Sequence, residues 1–448
     1  MSRSHWGSRL GFILAAAGSA IGLGAVWKFP YVTANNGGGA FLVIYLAICL
    51  TLGLALMVTE MALGRAANAD AVGIFKKLKG GKWPIVGYAA VLTCFLILSF
   101  YCSVGGWTVA YIVKSVPGGI LTSDAEVLKA NFDGFLNSPI LLVVYLVVFS
   151  GITLGVVIGG VKGGIETLSK YLMPALFVLM VVLIVRGLTL PGAVEGVRYF
   201  LQPDFSKVTM RMVVDALGLA FFSLSLGMGI MLTYGSYVEK GINLLRSSLW
   251  VIALTVGTSF LAGLMVLPAM IAFGLSPQQG PGLTFVTMPA VFAQLPAGEV
   301  FSVMFFVLLL LAALTSSVSL LEVIVCFLID EFGLGRRTAA VCTTLAFVVL
   351  GVAVSWSMGP LRGYTVYGKN LFDILDFLTL NLMMPLVEIA VAIFAGWVVK
   401  KRLEAELLLN GTKPFWLFPM MVFVRFIAPV LIALILVNGL IEALKPAG

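Results

Sequence analysis

Two stretches of this sequence loosen the backbone in the middle of otherwise apolar segments, and freed backbone groups can do chemistry. Residues 18–30 read GSAIGLGAVWKFP, and residues 221–229 read FFSLSLGMG, with serines at 223 and 225 and glycines at 227 and 229. Glycine lowers helix stability by about 1 kcal/mol per residue relative to alanine, so a helix loosens at both places. Free N–H groups at the start of a half-helix favour an anion. Free carbonyls and neighbouring hydroxyls suit a hard cation. Catalytic chemistry finds no such support. The single histidine is His5, and Cys49, Cys94, Cys102, Cys326 and Cys342 lack metal-ligand spacing. The cysteines read as small buried apolar residues, which disfavours a disulfide framework, a zinc site or a haem. No nucleophile–base pair stands out either, so the chain does not read as an enzyme.

The elements that must position these groups are membrane helices. Of the 448 residues, 60% are apolar and 11% charged, whereas a soluble domain carries about 25% charged residues. Apolar runs long enough to cross a bilayer recur throughout. The pattern predicts an all-α integral membrane protein with eleven spans, at about 10–33, 40–64, 84–114, 139–159, 165–186, 211–239, 246–273, 298–330, 338–357, 371–399 and 416–442. The short basic start leads directly into a long apolar run, which argues against a removable signal peptide. If the chain starts in the cytoplasm, 17 Lys and Arg residues fall on that side against 9 on the other, with Lys28 and Arg425 inside spans. That excess sets the amino terminus inside and, with an odd number of spans, the carboxyl terminus outside. The net charge of +8 follows membrane topology and gives no reason to expect nucleic acid. Residues 274–298 carry no Lys or Arg and read as a re-entrant or capping hairpin.

The two breaks lie five spans apart, in the first and sixth segments. Spans one to five and six to ten then form two halves of opposite orientation, and interrupted segments at matching places point to a transport site. The competing reading is close packing of small residues between helices. The expected organisation is one membrane domain: residues 8–187 as the first repeat, 209–400 as the second, and 414–443 as an additional helix.

HWGSRLGFILAAAGSAIGLGAVWKFPYVTANNGGGAF near the start resembles the signature of the neurotransmitter:sodium symporters. The resemblance continues in order through EMALGR at 60–65, FFSLSLGMGIMLTYGSYV at 221–238, TSF at 258–260, LTSSVSLLEV at 314–323 and LDFLTLNLMMPL at 375–386. It covers nearly the whole chain and is most like the bacterial amino-acid-transporting branch. It implies a sodium-coupled importer in the bacterial inner membrane, working by alternating access with discontinuous helices 1 and 6. The substrate carboxylate would meet the N–H groups of Leu23 and Gly24 and the Tyr101 hydroxyl. Its ammonium would face the carbonyls of Ala20, Phe222 and Ser223, beside Ser225. Gly22 stands where monoamine transporters of the family carry an aspartate, so the ligand should bring its own carboxylate. Ile97, Tyr101, Phe222, Met228 and Leu320 would line an apolar side-chain pocket suited to a neutral apolar or aromatic amino acid.

The same resemblance assigns a second sodium site to the carbonyls of Gly18, Ile21 and Ala312 and the hydroxyls of Thr315 and Ser316. The first sodium site departs from the family. Ala25 replaces its usual asparagine, leaving the Ala20 carbonyl with Ser223 and Thr255, so at least one sodium ion is expected and the other site should be weak. Leu219 replaces the glutamine of the animal chloride site beside Tyr45 and Ser259, so chloride is not expected. Lys28 and Asp376 map to the outer gate, and Arg3, Trp6, Ser236, Tyr237 and Asp330 to the inner latch. Two carboxyls, Glu60 and Glu388, fall within spans, where charge is costly. Ala25 and Glu388 motivate the alternative of a proton-coupled or sodium-independent transporter. No protein partner is implied.

Overall fold

The computed structural model describes residues 5–116, 119–274, 283–408 and 411–444. Eleven transmembrane helices form the described chain. They are α1 (Arg9–Ala20 and Gly24–Asn35), α2 (Gly39–Ala67), α3 (Pro84–Ser115), α4 (Pro139–Ile158), α5 (Val161–Leu188) and α6 (Met210–Ser223 and Ile230–Gly235). The second half continues with α7 (Leu244–Ala272), α8 (Gly298–Phe332), α9 (Arg336–Ser357), α10 (Leu371–Val398) and α11 (Leu417–Ile441). Nine of these are continuous and apolar enough to cross a bilayer, and α1 does so as a pair bent by 50°. The halves of α6 are only 14 and 6 residues long, because residues 224–229 leave the helix altogether. The span boundaries expected from hydropathy hold to within a few residues.

Local sequence explains where several helices begin. Ser8 accepts a bond from the Gly11 N–H at the start of α1, Thr209 caps α6 through Met212, and Asn243 caps α7 through Arg246. Each hydroxyl or amide satisfies a backbone donor that the first turn leaves free. The breaks have equally local causes. Across the second one, Ser225, Gly227 and Gly229 all take positive φ, at 55°, 72° and 76°.

Helices α3 and α8 are the most deeply buried of the continuous spans, while α4, α5, α9 and α11 expose apolar residues outward. With no water to drive helix association in lipid, close approach depends on small residues. Gly64 on α2 and Gly235 on α6 show this directly. A Cβ at Gly64 would lie 2.0 Å from the Leu232 carbonyl oxygen, and one at Gly235 would lie 2.4 Å from that of Met61.

The ends of the helices sort the charged residues by side. Arg65 pairs with Glu406 at 2.5 Å, Lys76 with Glu331, and Arg402 donates to the carbonyls of Lys77 and Leu78. These gather near Trp6. On the opposite side Lys28 lies 3.9 Å from Asp376 and Arg362 lies 3.9 Å from Asp133. The expected hairpin at 274–298 is described only from residue 283. There a short helix over 284–293 is buried, with Phe285 ringed by Trp107, Tyr111, Phe132 and Phe306; residues 275–282 lie outside the described residues. One expectation needs correcting: four cysteines are buried, but Cys342 is exposed, because it sits on the outward face of α9.

Candidate functional site

The two breaks face each other. The Ser19 and Ser225 hydroxyls lie 3.1 Å apart and bond to one another across them. The Leu23 N–H, freed from α1, donates to the Tyr101 hydroxyl on α3 at 3.1 Å. The Ser316 hydroxyl on α8 donates to the Ser19 carbonyl at 2.7 Å. From the other break, the Gly227 N–H donates to a Glu60 carboxylate oxygen at 2.9 Å, and the Cys94 thiol meets the Met228 carbonyl. Freed backbone in a membrane must find partners inside the protein, and α2, α3 and α8 supply them.

Between the breaks is a cavity of about 20 Å³. Ala20, Gly22, Leu23, Gly24, Ile97, Tyr101, Phe222, Ser225, Met228 and Leu320, ten of the eleven residues expected around a substrate, line it together. Ser19, Ile230 and Ser316 complete the lining. Ser223, the eleventh, is not among the lining residues. Its hydroxyl is buried beside Tyr45, close to Gly24, and meets the hydrogen-bond geometry of no neighbour. The volume holds about one water, so a larger occupant needs the lining to move outward. Gly22 has no room for a side chain: a Cβ there would lie 2.2 Å from Ser316 Oγ and 2.7 Å from the Tyr101 hydroxyl.

Phe222 also lines a second, larger cavity of about 670 Å³ on the Lys28 side. That cavity is polar at its rim, with Tyr31, Asn35, Asn36, Lys207, Arg211 and Asp215. The Phe222 ring is therefore a partition between the two spaces, and the Lys28 ammonium lies 5.5 Å from its centroid. The 3.9 Å separation from Asp376 makes the Lys28 pair a loose one.

Of the five positions expected to form a cation site, Gly18 and Thr315 meet across α1 and α8. A Cβ at Gly18 would lie 3.3 Å from the Thr315 Cβ, which places the break of α1 directly against α8. Among the described residues, the carbonyls of Gly18 and Ile21 accept no backbone N–H across the break. Buried carbonyls rarely go unpaired, and a cation is a fitting partner for them. Thr315 directs its hydroxyl proton to the Ala312 carbonyl at 3.0 Å, which keeps its oxygen lone pairs available. At the other candidate site Thr255 donates within its own helix to Val251 at 2.9 Å, and Ala25 is fully buried with no side-chain oxygen to offer. Tyr45 and Ser259 meet at 3.1 Å beside these residues.

On the Trp6 side the path is closed. The Trp6 indole donates to the Tyr234 carbonyl at 3.2 Å, its backbone N–H to Tyr237 at 3.4 Å, and its ring packs on Phe12, Tyr234 and Tyr237. Asp330 accepts the Asp70 N–H at 2.9 Å, and Ser236 bonds back to Thr233. Arg3 lies outside the described residues. Two features at this mouth escaped the sequence reading, the Glu322–Arg336 pair, to which the Tyr237 hydroxyl donates, and Glu166. Glu166 accepts from the Gly7 N–H at 2.7 Å and the Ser8 hydroxyl at 3.0 Å. Charged residues were visible in the sequence, but not that Glu166 would meet Gly7 and Ser8 from 159 and 158 residues away. Burial of Asp70, which lies between α2 and α3, pushes its carboxyl up to about 6 despite bonds from Val72 and Gly73.

Two broken helices crossing at an apolar cavity, each break anchored by neighbouring helices and each mouth narrowed by charged residues, define a secondary transporter. The sodium:neurotransmitter symporter family model matches residues 3–122 and 128–447, and the chain belongs to that family. It is a sodium-dependent transporter and not an enzyme. It is 39% identical over 97% of both chains to the uncharacterized sodium-dependent transporter YhdH of Bacillus subtilis. Against the Drosophila melanogaster sodium-dependent serotonin transporter it is 30% identical, over 83% of this chain and 67% of that one. A crystal structure of MhsT in complex with L-phenylalanine superposes with a TM-score of 0.91, at 40% identity, covering 98% of this chain and 100% of that one.

Proposed function

We propose that this protein imports a neutral amino acid with an apolar or aromatic side chain, driven mainly by sodium at the Gly18–Ile21–Ala312–Thr315–Ser316 site. The observation that carries the reading is the lining of the inner cavity. It offers an N–H, a hydroxyl and helix-end dipoles for a carboxylate at one end, and only Ile97, Phe222, Met228, Ile230 and Leu320 for a side chain at the other. No charged group lines it, so an acidic or basic side chain would be left without a counter-ion. MhsT, with L-phenylalanine in its structure, supports an aromatic ligand of this kind. Gly22 makes the substrate carboxylate necessary, because no aspartate fits between Ser316 and Tyr101.

In this reading Ala25 leaves the first sodium site weak, and Leu219 beside Tyr45 and Ser259 makes transport independent of chloride. The basic residues around Trp6 put the amino terminus in the cytoplasm of a cell bounded by this inner membrane, with Lys28 and Asp376 outside. Residues 8–187 and 209–400 then act as the two repeats that exchange access. Phe222 and the Lys28–Asp376 pair close the outer path, and Trp6 with Tyr237 and Asp330 closes the inner one.

Uptake of labelled tryptophan, phenylalanine and leucine into proteoliposomes, with sodium imposed or replaced by potassium, tests this. Sodium-dependent uptake with a Hill coefficient near one, unchanged when gluconate replaces chloride, is expected. One observation favours a second reading, coupling to protons. The Glu388 carboxyl is buried beside that of Glu60, which sets two acids in one apolar site. Uptake that is unchanged in potassium and driven by an acid exterior would replace the sodium reading with that one.

A further inference from the structure

Arg425 sits eight residues into α11, about 12 Å along the helix at 1.5 Å per residue, and forms no ion pair among the described residues. A guanidinium in the hydrocarbon region needs either a counter-ion or a route to the interface. Here its face is occupied. It stacks 3.9 Å from the Trp397 ring centroid on α10 and 5.0 Å from that of Phe426. The Trp397 indole N–H is bonded to the Arg425 carbonyl at 3.1 Å, so the stack is held from both sides. The guanidinium Nε is buried and has no hydrogen-bond partner.

Arg425 opens onto a cavity of about 390 Å³ between the ends of α10 and α11. Lys400, Lys413 and Glu404 line its polar end, and Phe418, Val422 and Phe426 its apolar lip. Glu404 is bonded to both lysines, at 3.6 and 3.0 Å. Three cations less one carboxylate leave the cavity with a charge of +2. The lip faces outward: Phe418 is 78% exposed and Phe426 49%. The cavity therefore joins an excess of positive charge to an apolar surface at bilayer depth.

We infer that this cleft binds the headgroup of an anionic phospholipid, with the phosphate between Arg425, Lys400 and Lys413 and an acyl chain along Phe418 and Phe426. A guanidinium whose face is stacked still presents its N–H edge, which matches two phosphate oxygens. In the orientation proposed above the cleft lies in the cytoplasmic leaflet, where anionic headgroups attract basic clusters. A second copy of the chain is a poorer occupant, since a symmetric contact would set the same +2 charge against itself.

Native mass spectrometry of the detergent-solubilised protein, titrated with dioleoyl phosphatidylglycerol or dioleoyl phosphatidylcholine, tests the assignment. A single retained phosphatidylglycerol per chain is expected, with little phosphatidylcholine. Each basic residue near a membrane surface contributes about fivefold to binding, so K400Q/K413Q should weaken retention about 25-fold. R425Q should weaken it at least fivefold. The lysine variant alters exposed side chains and keeps the test valid should R425Q misfold. Quenching of Trp397 by brominated phosphatidylglycerol, taken as wild type minus W397F, should exceed quenching by brominated phosphatidylcholine. Equal retention of the two lipids, unchanged retention in K400Q/K413Q, or a lipid-free dimer occupying this face would overturn the inference. A failure of sodium-driven uptake would leave these readings untouched, because none of them measures transport.

Discussion

Adding one methyl group at Gly22 tests the arrangement of the site most directly. In Gly22→Ala the new Cβ would stand 2.2 Å from Ser316 Oγ, 3.0 Å from Ser316 Cβ and 2.7 Å from the Tyr101 hydroxyl. An ordinary contact needs about 1 Å more, and neither neighbour is free to give it. Ser316 is tied to the Ser19 carbonyl and Tyr101 to the Leu23 N–H. Overpacking of a tight interior costs about 1–3 kcal/mol, and losing the Ser316 bond adds about 1 kcal/mol. If about 2–4 kcal/mol falls on the closed, ligand-holding state, affinity should drop roughly 30- to 700-fold at about 1.4 kcal/mol per tenfold. Equilibrium binding of the best transported amino acid, measured against sodium concentration, reads this out. The sodium-induced rise in melting temperature gives a second measure that needs no substrate. Gly218→Ala is the matched control in the other broken helix, because a Cβ there meets nothing within 4 Å. Binding and sodium response in G22A indistinguishable from those of G218A would refute the geometry on which the proposed site rests.

Further outcomes follow from other parts of the molecule. Ala25→Asn restores an amide oxygen beside Ser223 and Thr255, and the sodium Hill coefficient of uptake should rise from near one towards two; a coefficient that stays near one would deny Ala25 its role. Lys28→Arg replaces the loose 3.9 Å pair with a fork able to engage both Asp376 oxygens. For side chains 24% and 36% exposed, the gain is at most about 1 kcal/mol. Exchange of labelled for unlabelled substrate should therefore slow by less than about fivefold, and a tenfold or greater change would contradict a mere tightening. Asp70 is held near 6 by burial, above the ordinary carboxylate value of about 4. The folded state thus binds its proton more tightly than the unfolded one, so this group's contribution is most favourable at low pH and is lost as pH rises from about 4 to about 6. In Asp70→Asn, which can still cap the helix over 71–78, that part of the pH dependence of melting temperature should flatten; an unchanged slope would place its origin elsewhere.

What the sequence made legible was the part governed by local composition. Eleven spans follow from apolar length, and the breaks from glycine and serine in places where a helix needs neither. The pairing of those features was not legible. Ser19 and Ser225 bond across 206 residues, and Ser316 reaches Ser19 across 297; a serine's sequence neighbours do not reveal which distant carbonyl it meets. Ser223 shows the limit in the other direction. A motif position places its carbonyl at the substrate, and the sequence alone does not reveal that its hydroxyl is buried beside Tyr45. Wide π-helical turns at Cys49–Gly53, Val161–Glu166, Phe377–Met383, Phe394–Val398 and Phe423–Ile427 were equally invisible. They arise where packing inserts one extra residue into a turn, and apolar periodicity is too coarse to register it.

The arrangement of the first break also bears on how ion and substrate can be coupled when the first sodium site is weak. In the reading proposed above, an ion and the substrate carboxylate would touch in that site, and Ala25 would take away one of its oxygens. The structure offers a second connection. The carbonyls of Gly18 and Ile21, the Ser19 carbonyl held by Ser316, and the Leu23 N–H held by Tyr101 all belong to one run of six residues. A cation that draws in the carbonyls at one end of this run fixes the backbone that presents the N–H at the other. Ordering is then paid once for two ligands, which produces positive coupling without contact between them. Such coupling is reciprocal and typically worth about 1–3 kcal/mol, enough for one ion to raise substrate affinity about fivefold or more. The Ser19–Ser225 bond extends the same constraint to the second break and so to Phe222, the partition between the two cavities. Hydrogen bonds therefore run without interruption from Ser316 on α8, through Ser19, to the break that carries Phe222.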